Sequence, residues 1–219
     1  MAGDIALALL AIAIAYLLGS IPSAYIVVRL MKGGDIREVG DGHLGAAFTH
    51  RRVGLVGGII VGLMDLAKGA AAVLSAQWLG VPLPVVLLAA LAAVVGHNWS
   101  VFLRFKGGKG ALTIYGALAS LMFWQILVAI ALGGIVYLIT HKTGMATGIL
   151  LACLSLIVWF TSSVVPPGSI MPLSSPLPLS DKIVLSILPL VLAIPMVVKN
   201  ISMPKANAAG ADTKKSRGK

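Results

Sequence analysis

The 219 residues are 58% apolar and only 11% charged, with a mean hydropathy of +1.00. Soluble domains run near a quarter charged, so this composition excludes a soluble globular domain and belongs in lipid. The 17 Lys and Arg against 7 Asp and Glu give a formal +10, but the basic residues lie between apolar segments without interleaved aromatics, which argues against nucleic acid as a partner.

A spanning helix takes about 20 apolar residues, so the chain has room for about five to seven spans. The expected architecture is all-α: one polytopic membrane domain over 1–198 with about seven transmembrane or half-spanning helices, then a basic, disordered tail over 199–219. The first span is expected over 5–28, with Gly19, Ser20 and Pro22 in its second half. Its length and the lack of a basic leader mark it as a retained helix rather than a cleaved signal. A polar, glycine-rich stretch over 29–52 follows, then an apolar run over 53–79 interrupted by Asp65 and Lys68. Val81-Pro82-Leu83-Pro84 is a charge-free turn, and a helix over 85–95 leads to Gly96-His97-Asn98-Trp99 and a charged loop at 104–110.

The 30 residues over 111–140 are too many for one upright span and few for two. Further spans are expected over 145–160 and 182–198, separated by a stretch holding Pro166, Pro167, Pro172, Pro176 and Pro178. Basic loops mark the cytoplasmic side, so 29–52, 104–109 and the tail belong inside and the N-terminus outside. The tail reaches that side only if 111–140 is two short or broken helices, which also puts His141 and Lys142 inside. Gly54, Gly57, Gly58 and Gly62 read as packing residues that let helices approach in lipid. Cys153 stands alone, so disulfides and Cys-rich metal sites are excluded.

Two stretches carry candidate chemistry. In Lys106-Gly107-Gly108-Lys109-Gly110, glycines can turn N–H groups toward one point, two lysines add full charge, and a helix N-terminus follows. This is a phosphate cradle, or else a basic loop on lipid head groups. In the other, Gly40, Gly42 and Gly45 allow tight geometry before a helix over 46–52, from which Arg51 can reach back as a bidentate phosphate ligand. Asp65 and Lys68 share a helix face inside the apolar run and read either as a structural ion pair or as functional groups. His97 reads as an acid–base group or an interfacial donor.

Several runs resemble the bacterial acyl-phosphate-dependent glycerol-3-phosphate acyltransferases. They are Gly19-Ser20-Ile21-Pro22, Asp35-Ile36-Arg37 with Gly40, Gly42, Gly45 and Ala46, Arg51 with Gly54 and Gly58, and Asp65-x-x-Lys68-Gly69. The most distinctive is Gly96-His97-x-x-x-Val101-Phe102-x-x-Phe105-Lys106-Gly107-Gly108-Lys109-Gly110. The resemblance implies a seven-helix inner-membrane enzyme with its motif loops cytoplasmic. It would move an acyl chain from acyl phosphate to the 1-hydroxyl of glycerol 3-phosphate, giving lysophosphatidic acid, without metal or other cofactor. On that reading Arg51, Lys106 and Lys109, with Gly107, Gly108, Gly110, Gly40, Gly42 and Gly45, hold substrate phosphate. His43, His97 and Asp41 are the catalytic candidates, and Asn200 touches the acceptor. The chain departs from the family pattern at Asp41 and His43, where a Ser and an Asn are usual, and at Ala47-Phe48, Ser100, Val197 and Met203. Two other readings stay open: an inactive or altered-acceptor relative, and a small transporter with Asp65 and Lys68 on its pathway.

Overall fold

A computed structural model describes residues 2–32, 44–141, 143–161 and 178–202. Within them the chain is helical: α1 (Ala2–Ser20), α2 (Ser23–Lys32), α3 (Ala46–Val53), α4 (Leu55–Trp78), α5 (Leu83–Asn98), α6 (Ala111–Leu121), α7 (Phe123–Thr140), α8 (Thr143–Thr161) and α9 (Leu179–Ser202). A single 3-10 turn, Val101–Leu103, follows α5.

Local chemistry sets most of the breaks. Pro22 lacks the N–H that would continue α1, so α1 and α2 part at Ile21–Pro22. Gly54, at φ +91, turns α3 into α4. Pro84 sits in the first turn of α5, where a missing N–H costs nothing. Pro189 and Pro195 lie inside α9, a placement that neighbouring helices in a membrane make tolerable.

Among the described residues, five segments are long and apolar enough to cross a bilayer: Gly3–Lys32, Leu55–Trp78, Phe123–Thr140, Gly144–Thr161 and Leu179–Ser202. The shorter apolar helices α5 and α6 bring the expected seven; α6, at about 16 Å, reaches about halfway across. Side-chain contacts fix their directions. Tyr115 of α6 donates to Thr147 near the start of α8 (3.0 Å), while Gln125 near the start of α7 donates to Thr161 at the end of α8 (3.5 Å). The chain therefore reverses at Met122, between α6 and α7, so 111–140 forms two helices as the charge pattern requires. Lys182 lies over Trp159 at one face and Lys199 over Trp99 at the other, so α9 returns to the face that carries the 99–110 loop.

Two glycine pairs hold the bundle's closest seams. A methyl group on Gly19 of α1 would overlap the Ala93 carbonyl of α5, and one on Gly96 would overlap the Tyr16 carbonyl in return. Gly69 of α4 and Gly116 of α6 repeat the arrangement against Thr113 and Leu66. Of the glycines expected to pack, Gly57 and Gly58 do so, beneath α3, but Gly54 serves the turn and a Cβ at Gly62 would meet only ordinary contacts. Small residues such as Ala11, Ala15, Ala72, Ala89, Ala90 and Ala117 complete the buried core, because dispersion between close backbones drives packing where lipid removes the hydrophobic term. A second cluster, Ala24, Val27, Val28, Phe48 and Val61, joins α2, α3 and the first half of α4. Residues 199–202, expected in the disordered tail, continue α9 as helix because apolar Val197, Val198 and Ile201 keep it in a bilayer environment.

Candidate active site

The site grows from the break between α1 and α2. Breaking a helix inside lipid frees backbone carbonyls that must find donors. Here Ser100 Oγ donates to the Ser20 carbonyl (2.5 Å) and Lys68 Nζ to the Ile21 carbonyl (3.0 Å). Ser23, which opens α2, donates its hydroxyl to Asp65 Oδ1 (2.8 Å). Lys68 Nζ lies 2.9 Å from the same carboxylate oxygen, one helical turn along α4.

From the other side, the C-terminal turn of α5 brings His97 to this carboxylate. Its Nδ1 is 3.6 Å from Asp65 Oδ1 and 3.1 Å from Thr113 Oγ1 in the first turn of α6. An ionised carboxylate only accepts, so this partner favours the tautomer with hydrogen on Nδ1 and a lone pair on Nε2. Asp65, Lys68 and His97 are all under a tenth exposed. Such a pair survives burial only when its remaining hydrogen-bond capacity is filled, as Ser23 and the Ile21 carbonyl fill it here. Asp65 and Lys68 thus tie α1, α2, α4 and α5 together, and both also stand beside the cleft.

Above His97 lies the Lys106–Gly110 loop. Gly107 and Gly108 are buried: a methyl group on the first would overlap the His97 carbonyl oxygen, and one on the second the His97 Nε2. Gly110 is left-handed at φ +81 and caps α6, with Asn98 Oδ1 2.6 Å from where its Cβ would stand. Glycine is therefore required at all three positions, where it seats the loop closely against the end of α5 just before α6 begins. Lys106 is exposed and Lys109 partly so. The Leu44 carbonyl faces Gly108, so α3 also begins at this point, capped by Gly45 in extended backbone with open space about it. Arg51, exposed, is six residues along α3. Together these elements border a cleft of about 250 Å³, mouth included, lined by Ser20, Ser23, Tyr25, Leu44, Asp65, Lys68, His97, Ser100, Gly107 and Gly108 among others.

Of the residues expected at the site, His97, Gly107 and Gly108 line this cleft, with Lys106, Lys109 and Gly110 on the same loop and Gly45 and Arg51 on the helix beside it. Gly40, Asp41, Gly42 and His43 lie outside the described residues. Asn200 is exposed on α9; its neighbour Lys199 is the side chain turned inward, 5.4 Å from the Trp99 ring centre. Ser23, Ser100 and Thr113 were not anticipated. The signal for the first two was present, since a proline inside a spanning helix demands donors nearby.

A model of the glycerol-3-phosphate acyltransferase family matches residues 9–205. The chain belongs to the glycerol-3-phosphate acyltransferase family. Glycerol-3-phosphate acyltransferase 2 of Moorella thermoacetica is 50% identical over 127 residues, 56% of this chain and 65% of the relative, so that match spans just under two thirds of the Moorella protein. Glycerol-3-phosphate acyltransferase 1 of Dehalococcoides mccartyi is 44% identical over 167 residues, 68% of this chain and 74% of the relative. Among solved structures, PlsY (YgiH), an integral membrane glycerol 3-phosphate acyltransferase in its glycerol 3-phosphate form, superposes with a TM-score of 0.69 at 28% identity. That alignment covers 89% of this chain and 90% of PlsY. This family member is a multi-pass membrane protein, with the apolar spans above as its membrane segments.

Proposed function

We propose that the cleft transfers an acyl chain from acyl phosphate to the 1-hydroxyl of glycerol 3-phosphate, a step of phospholipid synthesis that yields lysophosphatidic acid and inorganic phosphate. The observation that carries this reading is the seating of the glycine loop directly on a buried His–Asp pair, in a chain of the glycerol-3-phosphate acyltransferase family. Asp65 and Lys68 largely neutralise each other, so the positive field for a phosphate comes from Lys106, Lys109, Arg51, the loop N–H groups and the α6 terminus.

In this mechanism the acceptor hydroxyl oxygen attacks the acyl carbonyl carbon. The bond from that carbon to the phosphate oxygen then breaks, and inorganic phosphate departs with its electron pair. The hydroxyl proton passes to His97 Nε2, held in the accepting tautomer by Asp65, and onward to the departing phosphate. His43 as base with Asp41 orienting it is the alternative, and Asn200 is the acceptor contact that the family resemblance implies. Loop donors and cations stabilise charge on the tetrahedral oxygen and the leaving group. The loop face belongs to the cytoplasmic side of a bacterial inner membrane, because Arg29, Lys32, Arg51, Arg52, Arg104, Lys106 and Lys109 gather on its segments.

Purified protein in phospholipid vesicles, supplied with palmitoyl phosphate or with a palmitoyl thioester, tests the donor. Turnover with the phosphate alone, competitively inhibited by inorganic phosphate, is expected. Equal use of both donors refutes the phosphate cradle as the donor site.

A further inference from the structure

Between α5 and the glycine loop, the segment Ser100–Lys106 makes a tight hook. Ser100 and Leu103 point inward and are at most 5% exposed; Ser100 is fastened to the Ser20 carbonyl. Val101, Phe102 and Phe105 point outward, at 42%, 54% and 61% exposure, flanked by exposed Arg104 and Lys106. Two successive non-glycine residues, Arg104 at φ 53 and Phe105 at φ 61, are left-handed. That conformation is unfavourable for a bulky side chain, and it persists because the Phe105 N–H donates to the Ser100 carbonyl (2.8 Å) and the Lys106 N–H to the Leu103 carbonyl (3.1 Å). The backbone is bent so that two phenyl rings face away from the protein.

Exposed aromatic rings between basic side chains match a bilayer interface, apolar on one side and anionic on the other. The hook also stands where a bilayer surface must be, at the ends of α5 and α6. From these features we infer that Phe102 and Phe105 form a wedge that sits in an anionic lipid interface and fixes the height of the adjoining Lys106–Gly110 loop. A donor with a long acyl chain partitions into that same layer, so the wedge sets the phosphate-binding loop at the depth where the donor's head group travels. The water-soluble acceptor needs no such alignment.

Two measurements test this. In a Cys153→Ser background, a spin label at Phe105→Cys, with Phe102→Cys as the second position, is placed in vesicles of phosphatidylethanolamine and phosphatidylglycerol. Greater collision with dissolved oxygen than with an aqueous nickel chelate is expected; free access of the chelate at both positions overturns the proposal. This arm stands whether or not the chain transfers acyl groups. The second arm rests on the acyl-phosphate reading and uses Phe102→Ser/Phe105→Ser, with thermal unfolding as the check on folding. Its KM for palmitoyl phosphate in vesicles rises roughly tenfold, the scale of losing one shallowly inserted ring pair. The KM for glycerol 3-phosphate and turnover with short-chain, soluble butyryl phosphate stay near those of the parent. A folded double variant with an unchanged KM for palmitoyl phosphate, or with equal losses on both donors, overturns the wedge's role in donor delivery.

Discussion

Removing the Asp65 carboxylate is the sharpest perturbation of the buried cluster. In Asp65→Ala, Lys68 loses the oxygen 2.9 Å away, Ser23 loses its acceptor at 2.8 Å, and His97 loses the group that faces Nδ1. Breaking a buried pair by deleting one partner costs about 3–5 kcal/mol, because the other charge is left uncompensated. Lys68→Met leaves Asp65 in the same condition and takes one donor from the Ile21 carbonyl, which keeps the Ser23 N–H at 3.0 Å, so it carries a similar cost of about 3–5 kcal/mol. Removing both charges together takes the carboxylate acceptor from the Ser23 hydroxyl, which keeps the Ile21 carbonyl at 3.5 Å, while that carbonyl keeps the Ser23 N–H at 3.0 Å, so the cost is about 1–3 kcal/mol in all. The double variant should therefore be no less stable than either single one, with a coupling of at least about 3 kcal/mol. Thermal unfolding in one detergent, followed by tryptophan fluorescence, reads this out: each single change should lower Tm by about 6–20 °C, using about 2–4 °C per kcal/mol for a chain of this size. Strictly additive losses, or a single Asp65→Ala shift below about 2 °C, would refute the claim that the pair is buried and mutually compensating.

Lys109→Ala and Arg51→Ala should each lower kcat/KM for acyl phosphate about 10- to 150-fold without lowering Tm, the effect of losing one charge-assisted hydrogen bond worth about 1.5–3 kcal/mol; a folded Lys109→Ala enzyme with parental kinetics removes the cradle from the mechanism. Gly108→Ala puts a methyl group onto His97 Nε2 and near the Leu44 carbonyl, so it should cost about 1–3 kcal/mol of stability and most of the activity, measured by unfolding and turnover together. Arg104→Cys in the Cys153→Ser background should react with an impermeant thiol reagent in inverted membrane vesicles and not in right-side-out ones; the opposite pattern reverses the orientation.

Much of the fold is legible in the sequence because lipid restricts the options. Spans show as apolar runs, and the distribution of Lys and Arg requires a reversal within 111–140 even though no glycine or proline marks Met122 as the place. Charge fixes which face a segment reaches, but the residue that turns is chosen by packing of α6 on α4 and of α7 on α8. The glycine seams were harder to read for the same reason. Gly19, Gly69, Gly96 and Gly116 look no different in sequence from Gly62, and only the approach of a partner backbone separates them.

At the site, the glycines of the 106–110 loop, which pack closely on His97 and Asn98, were legible as a tight segment before a helix. The companions of Asp65 were not. Ser23, His97 and Thr113 converge from three helices, and sequence spacing carries no information about contacts across so many residues. Asn200 illustrates the resolution that remains: Lys199, one residue earlier and about 100° around the helix, is the side chain that packs on Trp99.

The most direct test of the central claim is a product and stoichiometry measurement on the purified protein in phospholipid vesicles with palmitoyl phosphate and labelled glycerol 3-phosphate. The account predicts one lysophosphatidic acid, acylated at the 1-position, for each inorganic phosphate released, with both products falling together in His97→Ala and Lys109→Ala. Phosphate release without labelled lipid would contradict it, as would labelled product formed undiminished by both variants.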